Sequence, residues 1–236
     1  FPQTKVYLLV GLEPGGYLPG PDDFQTRSLA SYFSDLQTIL SDYFQKGYFI
    51  TREMTEDLNP GRINGVLPLL CLFLERTGHT LTDLKRVEFD EQGQLFESEY
   101  AIPKQRIKRP VGFKLTCLQT DSGQSQAVYY ISCDLSDERF GPGTKFFSYL
   151  NSLDYWSCLI KSASYLLHFK NFQHLRQLLL NKSQIIIQDD TGVPYKDLLA
   201  DHRQIKLYGR YGAPVKDFSK MEQKELQAAY ENKDRV

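Results

Sequence analysis

The segment "SQIIIQDDTGVPY", residues 183–195, decides the expected fold, because it joins an apolar run directly to two adjacent carboxylates. A short apolar run bounded by turn residues is typical of a β-strand buried inside a sheet. Gly192 and Pro194 then mark a turn. Asp189 and Asp190 therefore stand at the carboxyl end of a predicted strand, which is where ligands bind in open α/β sheets.

A second run of the same kind, "KVYLLVGLE" at residues 5–13, also ends in an acidic residue, Glu13. Continuous apolar runs suit central strands that are covered on both faces. We expect the two runs to be parallel neighbours in one sheet. The carboxylates of Glu13, Asp189 and Asp190 would then meet at one edge of that sheet.

The rest of the chain alternates between helical and strand patterns. Apolar spacings of three and four predict helices, and alternation around turn residues predicts hairpins. Helices are expected over 24–46, 64–79, 143–153 and 157–181, hairpins over 86–97 and 111–137, and a last strand over 203–212. In the longer hairpin, three residues are expected to face inward on each arm, namely Phe113, Leu115 and Cys117, then Tyr129, Ile131 and Cys133.

This order of elements predicts an α/β fold with a mixed sheet, antiparallel hairpins and flanking long helices. Its strand–helix alternation is Rossmann-like. We expect a single domain over 1–218, followed by a polar helix or tail over 219–236.

The predicted acidic edge offers more than one chemistry. Converging carboxylates can hold a divalent cation, bind a sugar diol or divide into an acid/base pair. Asp134, which follows the strand-like "VYYISC", can add to them. The alternative is that each acid only marks where a strand reaches water and turns.

A basic pair is expected beside these acids. Lys161, Ser164 and His168 are spaced to lie along one face of the predicted helix 157–181. They can bind a phosphate or carboxylate or transfer protons, or they can form a stripe at the edge of the core. The candidate catalytic residues are Asp189, Asp190, Lys161 and His168.

Arg210 lies between two tyrosines in "YGRYGAP", an arrangement that suits either an anion, an aromatic ligand or simple packing. The candidate ligand-binding residues are Glu13, Asp134, Arg210 and Tyr211. No dinucleotide-binding or nucleophile motif occurs, so neither a cofactor nor a nucleophile is identified. Whether a metal binds stays open.

Charge and hydropathy limit the partners. The chain has 28 basic and 29 acidic residues, a net charge of -1, which gives no long-range attraction to nucleic acid. The basic run 102–110 is interpreted as a solvated loop rather than a phosphate-binding patch. No run approaches the ~18 apolar residues of a membrane span. A small-molecule ligand is the expected partner, and the oligomeric state stays open.

The four cysteines form no metal-binding pattern. Cys117 and Cys133 fall on facing arms of the predicted hairpin, where a disulfide would fit. The favoured interpretation is nevertheless that all four cysteines are small buried hydrophobic residues.

Several phrases together resemble a bacterial family of unknown function, among them "VYLLVGLEP", "LPLLCLFLERTGH", "KSASYLLH", "QDDTGVPY" and "YGRYGAP". The resemblance runs from the first residues to about 218. Members of that family begin further upstream, often with an export or lipoprotein-type leader. The resemblance implies the cell envelope or periplasm, with the cytoplasm as alternative, and an upstream segment that completes the sheet and the site.

Two classes of function follow. The first is a small-molecule-binding or enzymatic α/β domain with an acidic site at the strand ends, a degenerate methyltransferase-like fold included. The second is a non-catalytic envelope protein whose tyrosine-rich surface meets a partner protein. Whether the chain is an enzyme is left undecided.

Overall fold

A computed structural model describes residues 4–20, 24, 28–46, 63–100, 112–162, 164–198, 204–212, 214 and 216–233. Within these ranges the chain forms eight strands and six α-helices. The strands are β1 Val6–Gly11, β2 His79–Phe89, β3 Leu95–Glu99, β4 Gly112–Gln119, β5 Ser125–Ser132, β6 Trp156–Ile160, β7 Ser183–Gln188 and β8 Gln204–Leu207. The α-helices are α1 Leu29–Lys46, α2 Val66–Arg76, α3 Lys145–Ser152, α4 Gln173–Lys182, α5 Tyr195–Leu198 and α6 Lys224–Lys233.

The predicted α/β class with a mixed sheet is confirmed. Five strands form a mixed sheet in the order β1-β5-β4-β2-β3, and three form a parallel sheet in the order β6-β7-β8. The chain divides into two compact units, residues 1–134 and 135–236, and each unit contains one of the sheets. The Rossmann-like alternation is not confirmed, because the larger sheet is built mainly from antiparallel hairpins.

The two apolar runs that were expected side by side belong to different sheets. β1 is an edge strand paired in parallel with β5, and β7 is the central strand of the smaller sheet. The prediction that they are parallel neighbours is therefore wrong. The prediction that β1 is covered on both faces is also wrong, since Val6 is 58% and Leu9 40% exposed. An apolar run indicates a strand, but its letters do not encode which strand lies beside it.

The first unit has its core on one face of β4 and β5. Phe113, Leu115 and Cys117 are buried there as predicted. Their partners across the ladder are Tyr130, Val128 and Gln126, so the predicted facing set of the second arm is wrong by one residue. Of that set, Ile131 is nevertheless buried, opposite Gly112. The cause is that "AVYYIS" is apolar at successive positions, which leaves the inward face unspecified.

The helices of the first unit agree with the predictions except at their ends. Helix α2 begins at Val66 rather than 64, and β2 already starts at His79. Leu67 and Leu74 of α2 pack on the β4–β5 core. Helix α1 begins at Leu29, where the hydroxyl of Ser28 accepts a hydrogen bond from the N–H of Ser31. The basic run 102–110 lies outside the described residues.

The predicted long helix over 157–181 is wrong. Residues 156–160 form β6, two 3₁₀ turns follow at Leu166–His168 and Lys170–Phe172, and only 173–182 are α-helical. "WSCLI" pairs in parallel with β7, and these ladder contacts override its helical spacing. Tyr165 adopts a left-handed conformation, φ 51°, which also interrupts any helix.

The second unit is completed by α5, β8 and α6. β8 ends at Leu207, earlier than predicted. Leu226 and Tyr230 of α6 are buried, although a boundary at 218 between domain and tail stays a prediction. No helix among the described residues is long and apolar enough to cross a membrane. The four cysteines are free thiols, and Cys117 lies opposite Gln126 rather than Cys133.

Candidate functional site

The three strands of the second unit run parallel, so their carboxyl ends meet at one edge of the sheet. Ile160 lies beside Gln188, and Gln188 lies beside Leu207. The residues that follow the three strands are therefore neighbours. They are Lys161 after β6, Asp189 and Asp190 after β7, and Tyr208 to Arg210 after β8. We call this group the strand-end site.

Asp189 is occupied by internal contacts. Its Oδ2 accepts a 2.9 Å hydrogen bond from the ammonium of Lys161, and the side chain is only 7% exposed. Its Oδ1 accepts from the N–H and the hydroxyl of Thr191, at 3.0 and 2.5 Å. The Thr191 hydroxyl oxygen in turn accepts from the N–H of Ser162. Asp189 thus ties the end of β6 to the turn after β7, which is a structural role.

Gln188 closes the same turn from inside the unit. Its side chain is fully buried and bonds both main-chain groups of Val193: the amide donates to the carbonyl at 3.0 Å and accepts from the N–H at 2.9 Å. Gly192 is required by this arrangement, since a Cβ there would lie 2.5 Å from the Gln188 Oε1 atom. The side chains of Gln188, Asp189 and Thr191 therefore hold the turn "QDDTGV" through close internal hydrogen bonds.

Asp190 has the looser environment. The hydroxyl of Tyr165 lies 3.5 Å from its Oδ2, and the N–H of Gly212 lies 3.3 Å from the same atom. Burial, together with the negative charge of Asp189, raises the pKa of Asp190 above its ordinary value. A half-buried carboxyl group with a raised pKa and long internal contacts is typical of a functional site.

The raised pKa of Asp190 predicts how the stability of the protein depends on pH. Above the folded-state pKa, charged Asp190 destabilises the native state, and below the unfolded-state pKa the cost vanishes because both states are protonated. Asp190→Asn removes this cost. We expect its advantage in free energy of unfolding over wild type to be largest near pH 7 and to shrink as the pH falls through the Asp190 pKa. Urea denaturation of both proteins between pH 4 and 7 measures it, and an advantage that grows on acidification would contradict it.

Tyr165 connects Asp190 to His168. The rings of Tyr165 and His168 pack edge to face at a centroid distance of 5.3 Å. The ring of Phe218 also packs on Tyr165, at a centroid distance of 5.5 Å. Burial raises the pKa of Tyr165 to about 12, and Asp190 adds to the shift. Burial lowers the pKa of His168. The prediction that Lys161 and His168 share a helix face is wrong, because Lys161 follows a strand and His168 lies in a 3₁₀ turn.

Glu13 and Asp134 belong to the first unit. They follow β1 and β5, which are parallel neighbours with Gly11 beside Ser132. The main-chain carbonyl of Glu13 accepts hydrogen bonds from the hydroxyls of Tyr130 and Ser132. The two acids thus follow adjacent strands of the five-stranded sheet, and the argument that placed Glu13 beside Asp189 no longer holds.

The segment after β8 contributes Tyr208, Arg210 and Tyr211 to the strand-end site. Arg210 is exposed, and the hydroxyl of Tyr208 donates to the carbonyl of Ile160 at 3.3 Å. Tyr211 is turned toward α6, since its hydroxyl accepts from the N–H of Gln223 and its ring packs on Tyr230.

Gln223 is a residue of the site that sequence reasoning missed. Its side chain accepts from the N–H of Tyr195 at 2.7 Å and donates to the carbonyl of Asp190 at 3.4 Å. Tyr165 and Gln188 were missed as well. Gly192 was the only local signal, and nothing in the letters around Gln223 indicates that it reaches a turn about 30 residues earlier.

No protein-family model, curated protein or solved structure matches the chain. Among the described residues, no group of three or more His, Cys, Asp or Glu side chains is placed to hold a metal ion. The site is therefore interpreted from its own geometry: an α/β unit with one strongly bound and one loosely bound aspartate at the carboxyl ends of parallel strands.

Proposed function

We propose that the second unit binds a small, hydroxyl-rich ligand at the strand-end site, with Asp190 as the residue that contacts it. The observation that carries the proposal is the contrast between two adjacent aspartates. Asp189 has three close internal donors, whereas the donors that other residues offer to Asp190 lie 3.3 and 3.5 Å away, and the pKa of Asp190 is raised. A carboxylate held in place but not saturated is ready to accept hydrogen bonds from a ligand.

The neighbours of Asp190 suit a sugar or polyol. Ligand hydroxyl groups can donate to the carboxylate, and the partly exposed ring of Tyr211 provides apolar surface in the segment after β8. Arg210, exposed after β8, adds a cation at the same edge of the sheet. Lys161 and Asp189 position the turn. We propose binding rather than catalysis, since no nucleophile with an adjacent base stands out among these residues.

A thermal-shift screen tests the proposal. Sugars, polyols, nucleotides, S-adenosylmethionine and divalent cations are added to the whole chain. At a ligand concentration about 100-fold above Kd, mass action stabilises the folded state by about 2.7 kcal/mol. We expect a hydroxyl-rich compound to raise Tm, and Asp190→Asn to remove that increase while the variant stays folded.

The matched control is Asp154→Asn, which makes the same change at an exposed position of the same unit. It is expected to keep the full ligand-induced increase in Tm. If no hydroxyl-rich compound stabilises the wild type, or if the two variants respond alike, Asp190 is not the ligand-binding residue.

A second candidate is an interaction role, favoured by exposed apolar residues on the edge strand β1 and directly after it, where Val6, Leu9 and Leu12 are 40–58% exposed. Edge strands offer unpaired main-chain groups to a partner. We also propose the cell envelope as compartment, with the cytoplasm as alternative. What supports the envelope is the resemblance of the chain's phrases to an often exported bacterial family, to which we propose that it belongs.

A further inference from the structure

A cavity of about 560 Å³ lies in the second unit, beside helix α5. Its walls are the residues around α5, the end of the 3₁₀ segment Lys216–Met221, the start of α6, and the side chains of His168 and Arg176. This volume falls within the ~300–1,000 Å³ range of small-molecule sites. Lys161, Asp189 and Asp190 do not line it, although Gln223, which donates to the carbonyl of Asp190, does. The charged side chains of its lining are therefore different from those of the strand-end site.

Arg176 is the fixed cation of this cavity. Its Nη1 donates to the carbonyl of Leu167 at 2.7 Å, and its Nε lies 3.5 Å from Oδ2 of Asp197. The side chain is only 19% exposed. A guanidinium has five N–H donors in a rigid fork, so these contacts hold its plane and leave donors for a ligand.

Three lysines add mobile positive charge. Lys196, Lys220 and Lys224 line the cavity and are exposed. The acids of the lining are Asp197, which is beside Arg176, and the exposed Glu222 and Glu225. His168 is counted as neutral, because burial lowers its pKa. Apart from the Arg176–Asp197 pair, the lining contains three lysine ammonium groups and two glutamate carboxylates.

The N-terminus of α6 also favours a negatively charged ligand. Its first turn lines the cavity, and the first N–H groups of a helix have no partner within the helix. The positive end of the helix dipole therefore reinforces the cationic lining. A largely covered arginine fork, exposed lysines and a helix start together are suited to an oxyanion.

We propose that this cavity binds a small molecule through an oxyanion group, a phosphate or a carboxylate, gripped by Arg176 and steered by Lys196 and Lys220. In this arrangement the charged group of the ligand meets the guanidinium. This site needs no contribution from Asp190 and does not depend on the strand-end ligand.

Isothermal titration of the whole chain with inorganic phosphate, and separately with succinate, tests the proposal. Saturable binding of either probe is expected, and the probe that binds identifies the anion class. Lys196→Gln and Lys220→Gln are each expected to weaken binding about two- to fivefold, the size of one exposed charge contact, and more when combined. These positions are exposed, so the variants are expected to fold.

The matched control is Lys206→Gln, which removes the same charge from an exposed position on β8 outside the cavity. It is expected to bind the probe as the wild type does. The proposal is overturned if neither probe binds, if the cavity variants bind unchanged, or if Lys206→Gln weakens binding as much as they do.

Discussion

Gln188→Leu is expected to lower the free energy of unfolding by about 3 kcal/mol, because it leaves two buried main-chain groups without partners. Leucine has nearly the same size and remains apolar in the core, so no large cavity accounts for the loss. The N–H and the carbonyl of Val193 both lose the amide that they contact at 2.9 and 3.0 Å. Urea denaturation at constant pH measures the change.

Gln184→Leu is the control, since Gln184 is exposed on the same strand. It is expected to change stability by no more than about 0.5 kcal/mol. Equal losses in the two variants would mean that a glutamine-to-leucine change weakens β7 wherever it falls. In that case the hydrogen bonds between Gln188 and Val193 would add nothing specific to the free energy of unfolding.

Asp189→Asn is expected to cost about 2 kcal/mol. The change removes the charge that faces Lys161 and puts an amide where Thr191 and Lys161 now donate. Breaking a buried ion pair costs ~3–5 kcal/mol, and the 35% exposure of the Lys161 side chain reduces that cost. Thermal or urea unfolding of the variant at neutral pH checks it.

Lys161→Met provides the other side of a double-mutant cycle. The cost of combining it with Asp189→Asn is expected to be smaller than the sum of the two single costs, because both remove the same contact. Strict additivity would show that the 2.9 Å contact does not couple the two residues.

Most helices and hairpins were predicted from local sequence patterns, but strand β6 was predicted as helix and the pairing of β1 was wrong. The hairpins at β2–β3 and β4–β5 follow from alternation around Gly93 and Gly123, both of which have positive φ. The apolar run "QIIIQ" correctly indicated a buried central strand. The position of β1 at an edge, beside β5, depends on contacts across more than 100 residues of chain, which no local pattern records.

The candidate site shows the same limit. Asp189 and Asp190 were correctly placed at the carboxyl end of a strand, but Glu13 was wrongly expected beside them, and Lys161 was expected on a helix instead of after β6. The pair "DD" does not indicate which aspartate is held by internal hydrogen bonds. That depends on Lys161 and Thr191, which both donate to Asp189 in the folded structure. Gln223 lies just before α6, far along the chain from Asp190, so no local sequence pattern indicates their contact.

The division of roles between the two aspartates is the claim on which the proposed function depends. Side-by-side urea titrations of Asp189→Asn and Asp190→Asn near pH 7 test it most directly, since the two changes are chemically identical and adjacent. Asp189→Asn should unfold at lower urea than the wild type, whereas Asp190→Asn should unfold at the same or higher urea. Equal destabilisation by both variants would contradict the account, because Asp190 would then be as much a part of the framework as Asp189.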